Sequence, residues 1–285
     1  MISIKKDFDT PPEKLVQSNR NAQIIDALVS KNEHKFKSSI YRKTTIEALE
    51  TLYNFKCAYC ESDTSAGAPF QVEHFRPKAK TEGDETHNGY YWLAYEWSNL
   101  TLGCSACNNA KKNHFPIKGV RIAEPLLDVS NFPLPSYFRI DSDEIKNEQA
   151  VLLNPEIDVV ENHFYFKPNG EIVGRDERGK ETINKLKLNR KRLVFWRKKL
   201  LDDYLKALKN ILEDFLTNQI DIEQCRYAIK LEFAKITLQQ SPDKPYSRFG
   251  FFMFNKFEFF FTNQLETKQK EAILKFFELF RKGEL

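Results

Sequence analysis

The chain has no long apolar run, few cysteines and little net charge. Of its 285 residues, five are cysteine and two methionine, and 44 Lys and Arg stand against 40 Asp and Glu. The most apolar stretch, 249–261, is interrupted by Asn255, Lys256 and Glu258, so it is too short and too charged to span a bilayer. The opening residues carry no hydrophobic segment of a secretory signal. These absences set the expectation of a cytoplasmic protein with no membrane association, in a compartment where thiols stay reduced. A net charge of +4 does not by itself call for a polyanion partner. No repeat occurs at the solenoid periods. No base-reading motif is visible, so a choice of DNA or RNA sequence is not legible. What is present suits a folded protein of one large domain or two ordinary ones: 41% hydrophobic and 29% charged residues, with a mean hydropathy of −0.56.

Periodicity divides the chain. Residues 1–40 are polar and weakly patterned and read as an N-terminal arm. Thr44-Thr45-Ile46-Glu47 fits a capping box that opens a helix with Ile46, Leu49, Leu52 and Tyr53 on one face. Short strands are expected at Phe70–Phe75 and Asn99–Gly103, and a helix at Ser105–Asn113 that Pro116 stops. The aromatic run Tyr90–Trp97 fits either a helix start or a strand. Residues 125–182 look β-rich and irregular, with a hairpin turning at Asn169-Gly170. From Thr182 the period becomes helical. Leu193, Trp196, Leu200, Tyr204, Leu208, Ile211 and Phe215 mark the apolar stripe of a long helix. Further helices follow at Ile222–Leu238 and around Ile273–Phe280. The expected division is 1–40, a core at 41–124, a connecting region at 125–182 and a helical region at 183–285.

Four of the five cysteines fall in two pairs, Cys57-Ala58-Tyr59-Cys60 and Cys104-Ser105-Ala106-Cys107. One such turn supplies two thiolates from one loop, and two turns complete a tetrahedral zinc site. One redox pair would leave the other unexplained. Cys225 lies in a helical pattern and reads as a small buried hydrophobe. Glu73-His74 sits between the pairs and Asn108 follows the second. Metal-assisted hydrolysis needs an activated water, charge relief on the bond attacked and help for the departing group. A histidine can act as base and a divalent ion can do the rest. A hard ion such as magnesium takes oxygen ligands, which Glu73 and the Asn108 side-chain carbonyl offer.

The series CAYC, VEHFRPK (Val72–Lys78), WSNL (Trp97–Leu100) and CSACNNAKKNHFP (Cys104–Pro116) resembles the HNH endonucleases with a zinc-stapled ββα-metal core. The resemblance covers about residues 55–118. More widely, NPEIDVVENHFYFKPNGEIVG (Asn154–Gly174), GKETINKLKLNR (Gly179–Arg190) and the aromatic C-terminal helices resemble the HNH subunit of Septu-type anti-phage systems, which acts beside an ABC-type ATPase. The resemblance implies an α+β fold, in which a ββα-metal core with a structural four-cysteine zinc site is embedded in a mainly helical body with a β-hairpin insertion. It implies His74 as general base, Glu73 and Asn108 as ligands of the catalytic ion, and Asn99 as the residue that ties the loop and orients the histidine. Arg76, Lys78, Lys111 and Lys112 are the expected nucleic-acid contacts. The chain departs from the family pattern at two positions: Glu73 stands where Asp is common, and Asn108 where many members carry His. A set of this kind favours Mg2+ or Mn2+ over a softer ion. His114, six residues beyond Asn108, falls about 240° around the helix and off the metal face. His87 and His163 read as non-catalytic.

Between Arg175 and Lys209, thirteen Lys or Arg face five Asp or Glu. Lys191, Arg192, Lys198 and Lys199 lie opposite the apolar stripe, with Arg175, Arg178 and Lys180 upstream. Such a face is either solvated or in contact with phosphate or an acidic partner. The expected function is a metal-dependent endonuclease acting on nucleic acid, DNA ahead of RNA, as effector of a defence complex with an ATPase. The alternative is a non-catalytic zinc module that binds nucleic acid or scaffolds the ATPase.

Overall fold

A computed structural model describes residues 1–285 other than 2, 85 and 126–138. It divides into two compact units, one of residues 1–164 and 174–188, the other of residues 165–173 and 189–285.

The first unit holds the motif residues. Helix α1 (Arg20–Ser30) buries Gln23, Ile24, Ala27 and Leu28, giving the 1–40 arm an ordered core element that its weak patterning hid. Short helix α2 (Ser38–Tyr41) leads into α3 (Ile46–Leu52). The expected capping box is absent. The Thr44 and Thr45 hydroxyls donate backward to the carbonyls of Ile40 and Tyr41, and α3 starts without a side-chain cap. Both hydroxyls are turned back on the preceding turn, so neither accepts from the first amides of α3.

Strands β1 (Gln71–His74) and β2 (Leu100–Gly103) pair antiparallel, with Glu73 opposite Thr101 and His74 opposite Leu100. Helix α4 (Ser105–Lys111) follows directly. Gly103 lets α4 approach: a Cβ there would lie 3.3 Å from the Glu73 Cβ and 3.8 Å from that of Asn108. The ambiguous run Tyr90–Trp97 is neither long helix nor strand. It makes two single 3-10 turns, Tyr91–Leu93 and Trp97–Asn99, and Tyr90–Tyr95 are almost wholly buried. Aromatic rings here build core rather than secondary structure.

The described residues of the 125–182 stretch carry less strand than its composition suggests. Among its described residues are the short helix α5 (Asp143–Lys146) and two three-residue strands, β3 (Phe164–Phe166) and β4 (Ile172–Gly174), besides a bridge from Ala150 to Ile117. Its remaining part, 126–138, lies outside the described residues. Helix α6 (Glu177–Lys185) begins earlier than the sequence period, because the Asp176 carboxylate accepts from the Gly179 amide at 2.8 Å and caps it.

The second unit contains the hairpin residues 165–173 and the C-terminal helices. Gly170 turns the hairpin at φ +85, where a Cβ would meet the Val194 carbonyl oxygen at 2.5 Å. Helix α7 (Lys191–Leu216) buries Leu193, Arg197, Leu201, Leu205, Leu208 and Leu212. This face is turned from the expected stripe: Trp196 stands 47% exposed, while Arg197 is buried with its guanidinium 5.3 Å from the Phe166 ring centre. Cation–π contact lets an arginine occupy a core position that sequence patterning assigns to solvent. Helices α8 (Ile222–Leu238), α9 (Ser247–Asn255), α10 (Phe257–Phe261) and α11 (Thr267–Lys282) complete the unit. Phe257 stacks on Phe277 at 3.8 Å, and Cys225 is buried. Lys198 and Lys199 are exposed but ion-paired to Asp202 and Asp203, which trims the basic face. No described helix is long and apolar enough to cross a membrane.

Candidate active site

The two cysteine turns meet. The four Sγ atoms of Cys57, Cys60, Cys104 and Cys107 lie within 4.8 Å of one another, and all four residues are buried. Cys60 and Cys104 are 3.7 Å apart between sulfurs. A tetrahedral ion with Zn–S of about 2.3 Å places sulfurs about 3.8 Å apart. No disulfide forms, so the group fits a four-thiolate metal site. Among the described residues it is the one cluster of His, Cys, Asp and Glu positioned for a metal. The cluster fastens three elements. The Ala58 amide donates to the Leu102 carbonyl at 2.9 Å, the Cys104 amide points to the Cys57 sulfur, and Cys107 lies inside α4.

Next to this staple is a cavity of about 320 Å³. Its wall includes Glu73, His74, Lys78, Asn108 and Lys112, together with Tyr41 and Arg42 from the segment before the motif. His74 is 7% exposed, and its Nε2 lies 2.9 Å from the Ala94 carbonyl oxygen. A carbonyl only accepts, so Nε2 carries the proton. Nδ1, which has no hydrogen-bond partner among the described residues, is then the free lone pair. Burial, with Lys78 and Lys111 nearby, pulls the His74 pKa down to about 3 against the pull of the Ala94 bond, leaving a neutral ring. The Tyr41 ring meets the His74 ring edge-on at 4.8 Å.

Asn99 is fully buried. Its Oδ1 accepts from the Arg76 amide at 2.8 Å, and its Nδ2 donates to the carbonyls of Arg76 and Leu93 at 3.0 and 3.3 Å. It therefore fastens the chain leaving β1 to the segment that carries Ala94. Asn108 is half-buried and donates from Nδ2 to Gln71 Oε1 at 2.6 Å, which leaves its carbonyl oxygen for another partner.

Two of the four expected nucleic-acid contacts are corrected. Lys111 is wholly buried, its ammonium 2.7 Å from Glu73 Oε1 and donating to the His74 carbonyl at 2.9 Å. Arg76 is 3% exposed and bonded to Glu148 and to the Ile145 carbonyl. Both cations are consumed by interior partners that a local sequence reading does not see. Lys78 and Lys112 remain on the cavity wall. Burial pushes the Glu73 carboxyl up and the Lys111 ammonium pulls it back. Removing one partner of such a pair leaves an uncompensated buried charge. Lys111→Met is accordingly expected to cost about 3–5 kcal/mol in urea unfolding of zinc-loaded protein. A loss below about 1 kcal/mol would show that the pair does not hold Glu73 charged.

The other histidines sit elsewhere. His114 bonds Glu181, His163 bonds Asp176, and His87 meets Thr81 and the Gly89 amide. His34, in the stretch read as an N-terminal arm, is buried and bonded to Asp26 and the Tyr95 hydroxyl. Sequence reasoning missed Tyr41 and Arg42, which lie well before the motif.

A thiol staple joined to a β-pair and a short helix, with a histidine and carboxylate at one cavity, defines the HNH class of nuclease. The HNH endonuclease family profile matches residues 57–114. The chain is 32% identical over 232 residues to the Septu protein PtuB of Bacillus mycoides (strain KBAB4), covering 77% of this chain and 74% of that one. It is also 28% identical over 160 residues to the Septu protein PtuA of the same strain, which covers 55% of this chain and 20% of PtuA. The chain belongs to the PtuB family of HNH endonucleases and is a nuclease of Septu defence.

Proposed function

We propose that this nuclease is a DNA endonuclease dependent on Mg2+ or Mn2+, stapled by zinc, and the effector of a defence complex with an ABC-type ATPase. The observation that carries the chemistry is the Nε2 bond from His74 to Ala94, which leaves Nδ1 as a base on the wall shared with Glu73 and Asn108. His74 Nδ1 takes the proton from the attacking water. Glu73 and the Asn108 carbonyl oxygen are the groups that would hold the divalent ion; both residues line the cavity, and both lie within 4 Å, at Cβ, of the position a Cβ on Gly103 would take. When bound, such an ion polarises the phosphate and stabilises the departing oxygen. Asn99 holds the loop geometry, and Lys78 and Lys112 supply positive charge for the phosphate backbone. Zinc on the four cysteines is structural, since four protein thiolates leave no open position. DNA as substrate rests on kinship with the HNH endonucleases, and the ATPase on kinship with Septu proteins.

Duplex DNA and RNA of one sequence, incubated with the chain alone and with its ATPase partner, test this reading. DNA cutting that requires Mg2+ or Mn2+ is expected. Preferential RNA cutting would overturn the substrate assignment, and cutting unaffected by chelation of the divalent ion would overturn the mechanism.

A further inference from the structure

We propose that the turn after α2 is part of the substrate surface and that Arg42 binds a backbone phosphate at the cleavage site. The inference deepens the nuclease reading above and rests on it. Arg42 lies outside the matched motif, yet it lines the same cavity as Glu73 and His74. It is exposed, and among the described residues its side chain makes no ion pair or hydrogen bond. Its backbone is held on both sides. The Arg42 amide donates to the Ser38 carbonyl at 2.8 Å, and the Arg42 carbonyl accepts from Thr45 and Ile46 at 3.2 and 3.0 Å. An uncommitted guanidinium thus projects from a fixed point.

The neighbouring residue fixes that point against the reaction centre. Tyr41 packs on the His74 ring, and its hydroxyl accepts from Lys78 Nζ at 2.9 Å. The charged side chains among the lining residues are Arg42, Lys78, Lys112 and Glu73, and Glu73 is already paired with Lys111. The wall therefore carries an excess of positive charge, concentrated where a low-dielectric surface strengthens it. A phosphodiester is the anion that fits a nuclease cavity of this charge. The planar guanidinium fork binds two phosphate oxygens at once, which a lysine does not.

Each phosphate contact contributes about 0.9 to the slope of log affinity against log salt on duplex DNA. The test is binding of a labelled DNA duplex by His74→Ala protein, which keeps the substrate intact, from about 50 to 200 mM salt. It is compared with the same protein carrying Arg42→Ala or Arg42→Lys, at equal zinc content and with melting checked. Arg42→Ala is expected to lower the slope by about one, so that affinity falls about threefold less across this range. Arg42→Lys is expected to keep the slope and lose affinity. An unchanged slope and affinity in Arg42→Ala, with the parent binding normally, would overturn the role of Arg42 alone. A parent without salt-dependent binding would overturn both this role and the reading of duplex DNA as the substrate.

Discussion

Cys107→Ser is expected to lose the bound metal and, with it, the folded first unit. Four buried sulfurs within 4.8 Å hold together the loop at Cys57–Cys60, the end of β2 and helix α4. A serine hydroxyl does not replace a thiolate on zinc. Structural zinc contributes about 10–16 kcal/mol in zinc-finger peptides, whereas a whole domain is stable by about 5–15 kcal/mol. The staple is thus of the same size as the net stability it supports. Metal content by atomic emission and thermal melting by circular dichroism check the expectation. About one zinc per chain is expected in wild type and none in Cys107→Ser, with the melting transition lowered by more than about 10 °C. A strong chelator should reproduce this loss on wild type. Cys225→Ala, in the other unit, should keep the zinc. A Cys107→Ser protein that melts like wild type would show that the core stands without its metal.

The parts of the site that were legible in the sequence are the local ones. The cysteine pairs, Glu73-His74, Asn99 and Asn108 all lie within 52 residues of one another, and their spacing carries the geometry with little help from the rest of the chain. What was not legible depends on distant partners. Lys111 and Arg76 read as phosphate contacts because a cation is ordinarily exposed. Glu148, which takes Arg76 inside, is 72 positions away. Tyr41 and Arg42 reach the cavity from a helix of four residues that has no period to announce it. The fold shows the same division. Strands β1 and β2 and helix α4 lie within a residue or two of their expected places, while α7 turns a different face inward because Arg197 is stabilised by Phe166. The fully buried aromatic segment at 90–95 gave no period because every side has a neighbour.

His74→Ala is expected to lower cleavage by about 100- to 10,000-fold, the range for loss of a positioned base. The argument is geometric. The Ala94 carbonyl fixes the proton on Nε2, which leaves the Nδ1 lone pair, and His74 lines the same cavity as Glu73 and Asn108. His74→Gln separates this role from packing. Its amide retains a donor for the Ala94 carbonyl but offers no basic nitrogen, so it should melt close to wild type and remain as inactive as His74→Ala. A His74→Gln protein with near wild-type activity would assign the histidine to structure.

The most direct test of the central claim is cleavage of plasmid DNA by wild type, His74→Ala and His74→Gln side by side. Each is brought to the same zinc content, given Mg2+ or Mn2+, and assayed with the proposed ATPase partner present. Cutting that needs the divalent ion and is confined to wild type is the expected result. Equal cutting by all three proteins would contradict the account, because the reaction would then owe nothing to the base on which the site is built.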